Sequence, residues 1–269
     1  MRLRVDQLAG VSIDEIVACL NNAFENYFVS MPKDVNFWQN RFKQNGVDFN
    51  LSWGVFDDDK LVAFVVNGIG QLNGVKTAYN SGTGVLESYR GRRLVDEMYE
   101  FGLPLLKKQG ITNCTLEVIT ENRRGIAVYE RLGYRRQRLL HSFQGSPAQQ
   151  EGFVLNLIDL STLDLVKQDE HYVWDQQSFV VQRLENCVAY EILDQNHSVG
   201  YVVMNQSSGK LIRMELKNEN WEAFFGAISR HLTTVRLSNV DGNRKGLLRY
   251  LDKSGFTNTV NQYEMVLKC

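Results

Sequence analysis

Apolar positions along the chain alternate between two rhythms. Ile16, Cys19, Leu20, Ala23 and Phe24 recur at steps of three and four, which predicts an amphipathic helix over 13–28, and Asn36 to Phe42 predicts a second helix after Pro32. Two helices are thus expected to open the chain. "LSWGVFDDDKLVAFVVNGIG" reads as two strands joined at Asp57–Lys60, an antiparallel hairpin. "VKTAYNSGTGVL" is a further strand, and glycines 82 and 84 inside it point to a bulge or to close approach of a ligand to the backbone. Leu94, Met98, Phe101 and Leu105 return to helical spacing, with Pro104 expected to kink or shorten that helix. The β-branched run Cys114–Ile119 and the helical "NRRGIAVYERLG" follow. Strand, helix, strand, helix implies a right-handed crossover between parallel neighbours, so the fold class is α/β with a mixed sheet.

The pattern then repeats. Residues 144–152 carry Gly145, Pro147 and Gly152 without periodicity, and beyond them "VAYEILDQNHSVGYVVMN" mimics the hairpin, "NWEAFFGAISRHL" the long helix and "GNRKGLLRYLDKSGF" the stretch "ENRRGIAVYERLGY". Asn122, Gly125 and Tyr129 find counterparts at Asn243, Gly246 and Tyr250. An internal duplication is the economical reading, with a first domain over 1–145, a linker over 146–152 and a second copy over 153–269.

Composition narrows the function classes. With 43% hydrophobic residues, 11% aromatics and no apolar run of membrane-spanning length, a globular chain of cytoplasmic residence and without a membrane partner is expected. Net charge is −1, so a general nucleic-acid-binding surface is not expected. The four cysteines and four histidines show no ligand spacing; reduced thiols and no metal site follow as expectations.

Local chemistry gathers in "YRGRRLVDEMYEFG". Arg90 to Arg93 stand at or just before a helix start, where unpaired N–H groups and the positive end of the helix dipole favour an anion, a phosphate-bearing one first of all. The plain alternative is a solvated basic helix start. The equivalent helix in the second copy begins among Glu219, Asn220 and Glu222, whose acids would repel a phosphate, so only the first copy is equipped for one.

Taken in order, "TGVLESYRGRRLVDEMY", "LEVITEN" and "NRRGIAVYERLGY" resemble the acetyl-CoA-binding core of the GCN5-related N-acetyltransferase (GNAT) superfamily, over roughly residues 50 to 140. The resemblance implies an acyl-CoA N-acyltransferase fold in tandem form, the second copy being degenerate, and acetyl-CoA as co-substrate with an amine-bearing small molecule or peptide as acceptor. It implies that Thr83, Gly84 and Val85 bind the pantetheine arm through backbone N–H groups of a strand splayed from its neighbour. It assigns the pyrophosphate to Gly91, Arg92, Arg93, Leu94, Val95 and Asp96, with Arg90 opening the motif. The family pattern RxxGxG is not met: counted from Arg90, its two glycines are Arg93 and Val95 here. An acyl-CoA-binding protein without catalysis therefore stands as the alternative.

Catalytic roles follow from the same resemblance. Tyr129 is implied as the general acid that protonates the departing CoA thiolate, and Asn122 as a cofactor contact. A phenol of pKa about 10 holds its proton at neutral pH and can pass it to a thiolate whose conjugate acid lies near ~8.5. Glu117 sits between Leu116 and Val118 in an otherwise apolar strand, where an ionised carboxylate needs a partner or a purpose. It is either a structural glutamate or, by resemblance to protein-N-terminus acetyltransferases, the general base for the attacking amine. Phe24, Tyr27, Phe28, Phe37 and Trp38 are expected beside the acceptor channel, or in ordinary core.

Overall fold

The computed structural model describes residues 3–72 and 74–269. A strand, β1 (Leu3–Gln7), opens the chain, antiparallel to β2 (Trp53–Asp57), which corrects the expected opening by two helices. The five-residue alternation of Leu3, Val5 and Gln7 was its only sequence signal. Next come α1 (Ile13–Ala23), capped by the Ser12 hydroxyl, and α2 (Val35–Gln44), capped by Asp34. Helix α1 stops at Ala23 rather than Phe28, because Phe24, Tyr27 and Phe28 pack edge-on against one another at 4.8 and 5.3 Å instead of continuing the stripe.

Strands β3 (Lys60–Leu72) and β4 (Val75–Val85) extend the hairpin, α3 (Leu94–Lys108) follows, then β5 (Asn113–Ile119) and α4 (Arg123–Arg131). Residues 61–68 of β3 are buried without interruption because the sheet is covered on both faces. On one face Phe64 meets α1, and a Cβ at Gly84 would lie 2.6 Å from that ring and 2.9 Å from Ala23. On the other face Trp53 meets α3, whose Gly102 allows the approach: a Cβ there would lie 2.3 Å from the indole. Helix α3 runs through Pro104 to Lys108 and is not shortened. The carbonyl that Pro104 leaves without a donor belongs to Glu100, an exposed residue, so water can satisfy it.

The remaining elements are β6 (Arg135–Gly145), β7 (Val154–Ile158), α5 (Ser178–Val181), β8 (Val188–Asp194), β9 (His197–Asn205), β10 (Lys210–Leu216), α6 (Trp221–Ser229), β11 (Val235–Asp241), α7 (Lys245–Lys253) and β12 (Thr257–Lys268). The chain forms two compact units, one running to Gln137 and taking back Glu264–Cys269, the other spanning Arg138–Tyr263. The division between the units falls inside β6, after Gln137, and inside β12, after Tyr263, so each of these strands begins in one unit and ends in the other. The first unit orders its strands β1-β2-β3-β4-β5 with the end of β12; the second runs from the start of β12 through β6-β11-β10-β9-β8-β7. Residues 146–153 have no regular secondary structure but are not a loose tether. Phe153 N–H donates to Ala223 O at 3.2 Å, Gln150 Nε2 donates to Glu222 O at 2.9 Å, and a Cβ at Gly152 would lie 2.4 Å from Ala223 O.

The second unit has its own core on α6 and α7, built around Trp221, Phe224, Phe225, Leu247 and Leu251. Its other face lacks counterparts of α1 and α2 and is closed by short helical turns over 160–181. There the fully buried Arg213 pairs with Asp169 at 2.6 Å, donates to Leu165 O and Gln176 O, and lies 4.2 Å over the Tyr172 ring.

Candidate active site in the first unit

Strands β4 and β5 pair in parallel at only three positions, Thr77 with Asn113, Ala78 with Cys114 and Tyr79 with Thr115. Beyond Tyr79 the ladder stops, while β4 remains paired to β3 as far as Val85. The sheet is therefore splayed between Asn80–Val85 and Leu116–Ile119. A bulge assists: the β3–β4 register shifts between Val66 and Asn67, so Ser81 is the extra residue. It falls just before the glycines of the strand.

The bulge also sets which side chains face which side. It puts Asn80 on the same face as Thr83, under α3, and Tyr79 on the opposite face with Glu117. Asn80, 7% exposed, donates through Nδ2 to Thr83 Oγ1 at 2.7 Å and to Tyr99 Oη at 2.9 Å, and a hydrogen bond of 3.1 Å joins the Tyr99 and Tyr134 hydroxyls. Tyr79 donates to Glu117 Oε2 at 2.6 Å. This phenol–carboxylate pair gives Glu117 the partner its apolar strand demands.

Tyr129 projects from α4, half-buried, with its ring 5.6 Å from that of Tyr134. Burial pushes its phenol up to about 12, against the opposing effect of hydrogen bonds from Thr83 and Asn80. Tyr27 stands nearby, its pKa raised by burial and lowered in part by a hydrogen bond with Asn122. Asn122 itself is the N-cap of α4, its Oδ1 accepting from Gly125 N–H at 2.9 Å. Asn122 thus lies before the helix rather than on a helical face with Tyr129.

The arginine turn is a short helical turn, Glu87–Tyr89, followed by Gly91 at φ 79° and Arg93 at φ 59°. Arg93 occupies the left-handed region at the N-cap of α3, where the family pattern has glycine. That explains the pattern: the position needs a conformation that costs a side-chain-bearing residue about 1–2 kcal/mol. Leu94 is buried in the core and Val95 half-buried, so each can offer an incoming anion its first-turn N–H rather than its side chain. A Cβ at Gly91 would meet nothing within 4 Å, which leaves the turn open to an incoming group.

Three of the expected cofactor residues have other work for their side chains. Arg90 donates to Val85 O at 3.2 Å and Ala23 O at 2.8 Å, buckling the end of β4 to α1. Arg92 donates to Ser88 O and lies 5.1 Å over the Tyr89 ring. Asp96, an acceptor only, holds Arg131 through two bonds of 2.7 and 2.6 Å, which join α3 to α4 and lower its pKa. Among the expected aromatics, Trp38 is core, 3% exposed with Nε1 donating to Pro32 O, whereas Phe28 and Phe37 are exposed. Tyr79, Asn80, Tyr99 and Tyr134 were missed by sequence reasoning. Only the polar "YN" inside an otherwise small and apolar strand signalled the first two.

Among the described residues no group of His, Cys, Asp and Glu is arranged to hold a metal, and no helix is long and apolar enough to cross a membrane.

Residues 14–134 match the model of the acetyltransferase (GNAT) family. A GCN5-related N-acetyltransferase from Sphaerobacter thermophilus shares 14% identity at a TM-score of 0.69, over 99% of this chain and 95% of that one. A tandem GNAT protein from the clavulanic acid biosynthesis pathway gives 14% and 0.68 over 99% and 98%. A glucosamine N-acetyltransferase region of a fungal multi-domain β-N-acetylglucosaminidase gives 13% and 0.70, over 99% of this chain and 38% of that one. A search of curated proteins found no match. The match to that family is confined to the first copy, and the chain as a whole has the tandem GNAT fold.

Proposed function

We propose that the first copy transfers the acetyl group of acetyl-CoA directly to an amine acceptor. The observation that carries this reading is the splayed β4–β5 gap with a phenol on one side and a carboxylate on the other: Tyr129 beside Asn80 and Thr83, and Glu117 bonded to Tyr79. Acetyl-CoA supplies the thioester carbon and the thiolate leaving group. The N–H groups of Gly91 to Val95 hold its diphosphate, and those of Thr83 to Val85 run along its pantetheine arm. Tyr129, which keeps its proton to about pH 12, donates it to the departing sulfur. Glu117 accepts the proton of the attacking amine from the opposite face, with Tyr79 fixing its orientation. Asn122 acts through the start of α4 and through Tyr27. The acceptor enters from the side of Phe24, Tyr27 and Phe28, whose rings suit an apolar or cationic group.

The test is thiol release from acetyl-CoA over a panel of a polyamine, an aminoglycoside, free lysine and peptides with free α-amines. At least one should yield acetylated amine and free CoA in equal amounts. Heat of acetyl-CoA binding with no thiol released across every amine class would instead establish a binding protein without catalysis.

A further inference from the structure

Two thiols stand apart from the proposed chemistry. Cys114, on β5, is 2% exposed, and Cys269, just beyond β12, is half-buried; both are free, and their sulfur atoms lie 3.1 Å apart. The backbone fixes the approach: Cys269 N–H donates to Thr112 O at 2.8 Å, and Thr115 Oγ1 donates to Met265 O at 3.2 Å. An approach of about 1 Å would bring the sulfurs to disulfide bonding distance. Cysteine spacing led to an expectation of reduced, separate thiols, yet the return of β12 to the first unit brings together residues separated by 155 positions.

We propose that Cys114 and Cys269 are a redox-responsive dithiol that closes into a disulfide fastening the end of β12 to β5 of the first unit. The two sulfurs divide the labour. A hydrogen bond joins the two sulfurs; with burial it pushes the Cys114 thiol up, while the same bond and the nearby charge of Lys107 lower Cys269. Cys269 is the more exposed of the two sulfurs, so it meets an oxidant first. With a small-molecule disulfide RSSR as oxidant, the Cys269 thiolate displaces RS⁻ to give a mixed disulfide. Cys114 then attacks the Cys269 sulfur, its proton passing to the second RS⁻ released. Overall, two protein thiols and RSSR give one protein disulfide and two RSH. The other cysteines are poor competitors: burial pushes the Cys19 thiol up to about 12 and raises that of Cys187.

The closed loop contains the whole second unit, so the bond restrains a long stretch of unfolded chain. Loop-closure entropy for a span of this length corresponds to a melting temperature about 5–10 °C higher.

The experiment treats the full chain with oxidised glutathione or dithiothreitol, alkylates it under denaturing conditions, and maps peptides by mass. Oxidation should yield a linked peptide pair containing Cys114 and Cys269, leave Cys19 and Cys187 alkylated, and raise the melting temperature. Cys269→Ser should abolish both the linked pair and the thermal shift, whereas Cys187→Ser should retain both. Independent alkylation of Cys114 and Cys269 after oxidation, or the same thermal shift in Cys269→Ser, would overturn the proposal.

Discussion

The two copies share a gap in the sheet but not what surrounds it. In the first, β4 and β5 pair at three positions before parting; in the second, β10 and β11 pair in parallel only at Lys210 with Arg236 and Leu211 with Leu237. Both long helices follow a non-glycine residue in the left-handed region, Arg93 at φ 59° and Glu219 at φ 51°. Here the likeness ends. Arg93 offers positive charge at the helix start, whereas the Glu219 carboxylate reaches α7, close enough that a Cβ at Gly246 would lie 2.5 Å from its Oε2. The cleft around it, about 550 Å³, mixes Glu219 and Glu222 with Lys245, Arg249 and Lys253. Tyr250 stands where Tyr129 does but stacks flat on Phe225 at 4.9 Å, and Ser238 stands at the position of Glu117. The splay thus survives without the phenol and carboxylate to which the proposed chemistry of the first copy is assigned. Backbone geometry and site chemistry are separable in this fold.

Exchanging matched residues sharpens that contrast. The largest effect is expected from Tyr129→Phe, which should lower kcat by about 10²–10⁴-fold with little change in acetyl-CoA affinity, while Tyr250→Phe leaves kcat within about twofold. Steady-state kinetics of both variants decides it; equal losses would erase the distinction between the copies. The alkaline limb adds a second reading. Because the folded Tyr129 pKa is raised to about 12, the acid stays protonated through pH 10. Stability from this group is likewise complete below the unfolded value near ~10 and is lost as pH rises through the folded one. A rate decline centred below pH 9 and retained in Tyr129→Phe would belong to another group.

Glu117→Gln comes next. It preserves the Tyr79 hydrogen bond but removes the base, so kcat should fall by about 10²-fold, with melting temperature unchanged within about 2 °C. A stability loss without a rate loss would make Glu117 structural. Smallest is Arg93→Gly, which relieves the left-handed strain at the cost of some chain entropy and should stabilise the protein by about 0.5–1 kcal/mol in urea titrations. Its dissociation constant for CoA should weaken severalfold, because a guanidinium able to reach phosphate is lost. Glu219→Gly in the second copy should reproduce the stabilisation and leave CoA binding alone.

Much of this contrast was legible in the sequence. Periodicity located the hairpins, the crossover helices and the duplication, because buried faces impose their spacing on apolar residues directly. Asn122, Gly125 and Tyr129 with their second-copy counterparts pointed to the repeat, and Glu219 and Glu222 marked an acidic helix start in the second copy. Long-range pairing was not legible. No local pattern announces that residues 264–269 return to the first unit, that Cys269 meets Cys114, or that Asp96 is committed to Arg131. Side-chain facing beyond a bulge was equally hidden: one extra residue at Ser81 sets Asn80 and Thr83 on the same face, and the polar pair they form follows from it.

The central claim is that one copy alone holds the acyl donor, and calorimetric titration of the full chain with acetyl-CoA tests it most directly. One molecule should bind per chain. Binding of two molecules per chain, or of none, would contradict it.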